Sequence, residues 1–188
     1  VALRLAQAGC DVAIHARGNA ADAESAAQAA RALGVEAITC LGDVGSRDDA
    51  RKIAERVLGA FGHVDILVNV AAYRPFQNFL EMGLDDWQRV MDVNVTGVVQ
   101  LTQAFLPGMV ERRWGRIINF SGMNSIRGYP QRIHIAASKH AVWGMTKALS
   151  REFGPHNITA NVISPGPAES EHEDKAFDAQ ILAQVKEI

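Results

Sequence analysis

A chain of 188 residues that is 48% hydrophobic carries enough apolar material for one sizeable core and too little length for two ordinary domains. Its formal charge of −2, with both signs scattered and no basic run, offers nothing to a nucleic-acid backbone or an anionic membrane surface, so neither is expected as a partner. No apolar run reaches the roughly 18 residues of a membrane span, no signal peptide is visible, and Cys10 and Cys40 lack CxxC spacing, which reads as a cytoplasmic protein with reduced thiols.

Val1 to Gly9 reads as the last turns of a helix closed by a glycine. Asp11 to His15 is a short apolar strand, Ala20 to Leu33 an alanine-rich helix stopped by Gly34, and Val35 to Cys40 a second strand. Ser46, with Asp49 three residues on, is a variant capping box that opens a helix to about Phe61. Val64 to Val70 is almost continuously apolar, as in strands covered on both faces of a parallel sheet. One long helix is expected from about Asp85 to Met109, weakened at its end by Pro107 and Gly108.

Next come a strand from Arg116 to Ser121, a loop with Gly122, Asn124, Gly128 and Pro130, and a helix from His134 to about Phe153. A strand from Ile158 to Ile163 and the breaker Ser164 to Pro167 follow. Ala168 to Ile188 reads as an acidic loop and then a helix from Phe177. This alternation specifies an α/β fold: a Rossmann-like, doubly wound parallel sheet in a single domain over 1–188.

Ligands of such sheets bind beyond the carboxyl ends of the strands. Those ends deliver His15, Ala16 and Arg17, then Asp43, Asn69, Ser121 with Gly122, and Pro165 with Gly166 to one edge. Donors, acceptors and small residues gathered there suit a dinucleotide. Taken singly, each is equally a turn or cap residue. The six histidines show no HExxH spacing and no Cys/His cluster, so no metal is expected.

Asp43-Val44, Asn69-Val70-Ala71-Ala72, Asn94-Val95-Thr96-Gly97, Ala136-Ala137-Ser138-Lys139 and Asn161 to Gly166 together resemble the motifs of the short-chain dehydrogenase/reductase family, over essentially the whole chain. The resemblance implies adenine contact at Asp43 and Val44, cofactor-facing positions at Asn69 and Ala71, and a nicotinamide-side segment at Pro165 and Gly166. It assigns Asn94 and Lys139 to the catalytic set, with Lys139 also holding the cofactor ribose. By their chemistry alone, Asn94 is equally a helix-bending residue and Lys139 equally a solvated one.

A carboxylate ending the first visible strand would suit NAD, whereas an arginine nearby suits the 2′-phosphate of NADP; Ala16 followed by Arg17 favours NADP. The resemblance further implies a homodimer or homotetramer through the helices containing Asn94 and Lys139, and the helix from His134 is apolar over more than one core-facing stripe. The family's first strand, with its glycine-rich phosphate turn, would precede Val1, and its last strand would follow Ile188. The chain is therefore expected to be part of a longer one.

Two positions depart from the family pattern. Four residues before the lysine the family has a tyrosine that exchanges the substrate proton, and this chain has Ile135; thirteen before that, the family's serine is replaced by Gly122. Hydride transfer to a carbonyl builds negative charge on oxygen, and a positioned acid is worth about 10²- to 10⁴-fold. Of possible substitutes, His134 lies about 100° around the helix from the face of Ile135 and Lys139, Ser121 leans to the other side of its strand from Gly122, and Tyr129 sits in a loop. Two functions are expected from this pattern. One is an NAD(P)(H)-dependent oxidoreductase acting on a small carbonyl or alcohol; the other is an inactive cofactor-binding or scaffold member that assembles with itself or an active relative.

Overall fold

The computed structural model describes residues 1–123 and 127–166. Asn124, Pro167 and the stretch from Ala168 to Ile188 lie outside the described residues. Helix α1 (Ala2–Gln7) leads into β1 (Val12–Ala16), α2 (Ala20–Arg31), β2 (Ala37–Leu41), α3 (Arg47–Phe61) and β3 (Ile66–Asn69). Then follow α4 (Leu84–Met91), a π-helical turn (Asp92–Thr96), α5 (Gly97–Arg112), β4 (Gly115–Phe120), α6 (Ile133–Phe153), a short 3₁₀ turn (Gly154–His156) and β5 (Ile158–Ile163).

All strand pairs are parallel, as crossovers through helices require. β1 pairs with β2, and β3, β4 and β5 form a second sheet in that order; among the described residues no hydrogen bonds join the two. The register sets Ala16 beside Leu41, Asn69 beside Asn119 and Phe120 beside Ile163, which keeps the carboxyl ends level within each sheet.

Two apolar clusters hold these layers. Ala6 of α1, Ala27 and Ala30 of α2, and Val12 and Ala37 of the first sheet make a small one, where alanines bring helix and strand backbones close. The larger joins Ile53 and Val57 of α3, Leu101, Phe105 and Met109 of α5, Leu67, Ile117 and Ile158 of the second sheet, and the edges of Leu149 and Phe153 on α6. Burying a side chain of the size of Phe105 or Met109 is worth about 1.5 to 3 kcal/mol. That gain explains why α5 runs through Pro107 to Arg112 instead of ending near Met109 as expected.

Two further expectations are corrected. The single helix from Asp85 to Met109 is two helices joined by a π turn, whose extra residue rotates Asn94 into the protein. At α3, Ser46 Oγ does accept from the Asp49 N–H at 3.4 Å. The Asp49 carboxylate, however, turns away from the box and accepts from the Asp43 N–H at 3.0 Å.

Candidate active site

The first group of residues forms beyond β1 and β2. Gly42 has φ +152, a backbone state that L side chains rarely adopt, and its carbonyl contacts His15 Nε2 at 2.8 Å. The chain then turns into Asp43, whose Oδ1 accepts from the Gly45 N–H at 2.9 Å. Its Oδ2 accepts from Arg89 of α4. Burial alone would raise the Asp43 pKa, but Arg89, the Gly45 N–H and the charge of Arg17 outweigh it and hold the carboxyl below its ordinary range. Arg17 itself is exposed just past β1.

Val44 is buried against α5. A Cβ on Gly97 would lie 2.9 Å from both the Val44 carbonyl oxygen and its Cγ2, so only glycine lets the helix rest there. Gln100 Nε2 adds a hydrogen bond to the same carbonyl at 3.0 Å. Asn69 is turned inward: it donates to Asn119 Oδ1 at 2.8 Å, and Asn119 donates to Thr146 on α6 at 2.8 Å. The edge next to β3 is instead offered by Val70 and Ala71, both exposed.

The second group lies where β4 meets α6. Asn94 is 1% exposed and uses its amide fully across elements. Its Oδ1 accepts from the Tyr73 N–H at 2.7 Å, and its Nδ2 donates to the Tyr73 carbonyl at 3.1 Å and to Ser138 Oγ at 3.0 Å. Ser138 Oγ in turn donates to the Ile135 carbonyl at 2.8 Å. Asn94 thus fastens the loop after β3 to α6, its side chain bonding to Tyr73 and Ser138 and not to the backbone of its own helix.

One turn beyond Ile135, Lys139 is 6% exposed, and its Nζ donates to the carbonyl of Phe120, the last residue of β4, at 2.7 Å. Burial, with a smaller repulsion from Arg74, lowers its pKa to about 8. Gly122 follows two residues after Phe120, and a Cβ there would meet nothing within 4 Å. Pro165 and Gly166 lie exposed past β5, with the Pro165 carbonyl accepting from the Met123 N–H at 3.4 Å.

The polar neighbours are placed differently. His134 is 0% exposed, and neither ring nitrogen has a hydrogen-bond partner. Burial and then Arg132 lower its pKa against an opposing pull from Asp86. The Ser121 hydroxyl is also buried without a partner. Arg89, which the sequence reading passed over, links the two groups: it pairs with Asp43 and sits 5.8 Å from the Tyr73 ring centroid.

A sequence model described as short chain dehydrogenase matches residues 1–181. The chain belongs to the short-chain dehydrogenase family. It is 32% identical over 188 residues to the 3-oxoacyl-[acyl-carrier-protein] reductase FabG of Staphylococcus aureus (strain Mu50 / ATCC 700699), covering 98% of this chain and 76% of that relative. Its fold is similar to that of an NAD⁺-bound xylitol dehydrogenase (TM-score 0.84, 32% identity, 98% of this chain and 70% of that one). It is also similar to a gluconate 5-dehydrogenase of Burkholderia cenocepacia J2315 in complex with NADP and tartrate (TM-score 0.83, 31% identity, 95% and 72%). The short-chain dehydrogenase fold is thus the architecture that aligns these strand ends. Among the described residues no helix is long and apolar enough to cross a membrane. None of them form a group of three or more His, Cys, Asp or Glu able to hold a metal ion.

Proposed function

We propose that this chain is a nicotinamide-dependent oxidoreductase that interconverts a small carbonyl compound and its alcohol without the family's tyrosine. The observation that carries this reading is Lys139: a buried ammonium at the carboxyl edge of β4, one turn past Ile135, beside a helix anchored by Asn94. Among the described residues Lys139 has no carboxylate partner, which makes its burial costly, and a ligand oxygen at the sheet edge gives a reason for the cost.

The residues present fit a nicotinamide dinucleotide. Lys139 has N–H groups beyond the one given to Phe120 for ribose oxygens, and among the described residues nothing lies within 4 Å of a Cβ at Gly122 or Gly166, where a flat ring can approach the backbone. When bound, the cofactor supplies the hydride; the chain's own part is to hold the ribose, orient the carbonyl and manage a proton. NADP is favoured over NAD. Arg89 already neutralises Asp43, which leaves the exposed Arg17 for a 2′-phosphate. The free thiols of Cys10 and Cys40 suit a reducing compartment such as the cytoplasm. Ala137, Ala141, Trp143 and Met145 stay partly exposed on α6, and a second copy of the chain packed across α5 and α6 would cover them.

The second reading, a cofactor-binding scaffold, is favoured by Ile135, which is 5% exposed and places only hydrocarbon at the family's acid position. Titration of the longest natural form with NADPH and NADH, followed by nicotinamide fluorescence, tests the common premise. Micromolar binding, tighter for NADPH, is expected. A folded protein that binds neither at millimolar concentration would remove the oxidoreductase reading.

A further inference from the structure

We infer that the carbonyl compound taken by this site is an oxo acid, its carboxylate received by Arg74 of the loop after β3 and Arg132 at the start of α6. The inference rests on the oxidoreductase reading above and names the substrate class within it.

A short set of contacts brings the two arginines together. The Gln77 N–H donates to the Gln131 carbonyl at 2.9 Å, which ties the loop after β3 to the turn before α6. Gln131 holds φ +61 there, a left-handed state that residues other than glycine adopt at a cost, and Arg132 follows as the N-cap residue of α6. The Arg132 guanidinium lies over the Phe76 ring at 3.6 Å, so hydrocarbon covers one flat face and leaves the N–H edge to a ligand. Arg74 is placed from the other side. Tyr73, the residue before it, is fastened through both backbone groups to Asn94, and Asn94 to Ser138, the neighbour of Lys139. Arg74 makes a positive charge more costly at both Lys139 and Arg132, so it stands within reach of the end of β4 and of the first turn of α6.

Two cations held together call for an anion. Among the described residues neither guanidinium pairs with a carboxylate or donates a side-chain hydrogen bond. Asp86 is taken by Gln77 and the Gly83 N–H, and Asp92 by Gln88. Burial first and Arg74 second lower the Arg132 pKa against an opposing pull from the Tyr129 phenol, yet a guanidinium stays charged through the physiological range. The phenol is a further donor on the same side, and the Tyr129 carbonyl accepts the Arg132 N–H at 3.2 Å. Helix α6 adds to the pull. It is 21 residues long, with no side-chain cap and no acidic residue in its first turn, so nothing on the helix offsets its positive amino end.

The spacing sets the size of the acid. Arg132 precedes Ile135 by three residues, about 4.5 Å along the helix axis, and position 135 is where the family's acid meets the substrate oxygen. The carboxylate therefore falls a few carbon–carbon bonds from the carbonyl, as in a short-chain oxo acid, and is itself unchanged by the reaction. Asn124, Ser125 and Ile126 of the loop after β4 bring no charge by sequence. Glu169, Glu171, Glu173 and Asp174 lie outside the described residues, and the test separates them from a substrate as partners of the arginines.

The test uses the longest natural form with 3-oxobutanoate, 4-oxopentanoate and 5-oxohexanoate, each beside its primary amide, a pair alike in shape and different in charge. Calorimetry with and without NADPH reads binding, and steady-state kinetics with NADPH reads kcat/KM. At least one acid should be preferred over its amide by about 10- to 100-fold, the worth of one or two charge-assisted hydrogen bonds. Arg74→Gln and Arg132→Gln should each cut that preference by about tenfold, and Arg74→Glu should reverse it. Arg74 is exposed, so its variants keep the test open if Arg132→Gln does not fold. Equal affinity for acids and amides, or a preference that survives both substitutions, would overturn the inference. So would an acid preference that emerges only after Glu169, Glu171, Glu173 and Asp174 are changed to amides, because the arginines would then serve an internal ion pair. Equal turnover of acids and amides would overturn the inference and leave the oxidoreductase reading intact. Arginine-dependent acid binding with no turnover of any probe would support the carboxylate site and remove the oxidoreductase reading instead.

Discussion

Asp43, just past β2, and Lys139, beside the end of β4, stand at the carboxyl ends of two different sheets, and both are ionisable groups drawn partly or wholly out of water. Their neighbours have opposite effects. Asp43 receives Arg89, the Gly45 N–H and the field of Arg17, so its charge is secured and its proton is kept away. Lys139 has one neutral carbonyl as its partner, so burial first and the repulsion of Arg74 second make its charge costly. Desolvation acts against the charged form in both; at Asp43 the neighbouring cation overcomes that cost, and at Lys139 no anion among the described residues does so.

The largest effect expected from disturbing this contrast comes from rebuilding the family pattern. Ile135→Tyr with Gly122→Ser should raise turnover about 10²- to 10⁴-fold by restoring the positioned acid. A serine fits at position 122, where a Cβ meets nothing within 4 Å among the described residues, but tyrosine must displace atoms around the buried Ile135. Steady-state kinetics on both single variants and the double variant measures this. An unchanged rate would mean that the absent tyrosine is not what limits turnover.

Stability against pH should separate the two ends by sign. A lysine depressed to about 8 in the fold costs stability in full below that value, and the cost is relieved as pH rises from there toward the unfolded lysine range. Relative to Lys139→Met, the native protein should gain about 3 kcal/mol over that interval, measured by urea unfolding at each pH. Asp43→Asn should act the other way and more weakly. It should cost about 1 kcal/mol at neutral pH, since Arg89 is partly solvated and screened. Because the Asp43 pKa is lowered, that difference is present above the usual carboxylate range and disappears as pH falls through the depressed value. Equal signs for the two variants at neutral pH would break the comparison.

How much of this was legible beforehand depends on the range of the forces involved. The strand from Ile158 to Ile163 was read to the residue, because an apolar run between turn residues is a local signal. The order of elements and the family motifs were equally plain. The π turn was not, since one extra residue among Val90, Val93 and Val98 leaves the composition helical throughout; the only hint was a polar Asn94 among them. Asn69 was read as facing a ligand, yet it shares the buried face of β3 with Leu67, an alternation hidden by the almost uniformly apolar run around it. Asp49 looked like the reciprocal half of a capping box and serves Asp43 instead. Arg89 carried no signal at all, because its partner lies 46 residues earlier in the chain.

The contact between Gly97 and Val44 has a mechanical side. With the helix backbone resting directly on the Val44 carbonyl, there is no side chain to flex between them. Gly45 repeats the arrangement, since a Cβ there would stand 3.1 Å from the backbone of Asp92 and Val93. A shift of the Asp43-Val44 segment would therefore push directly on the π turn, and through Asn94 on Tyr73 and α6. The loop after β2 and helix α6 are thus geared together through direct backbone contacts and one buried amide.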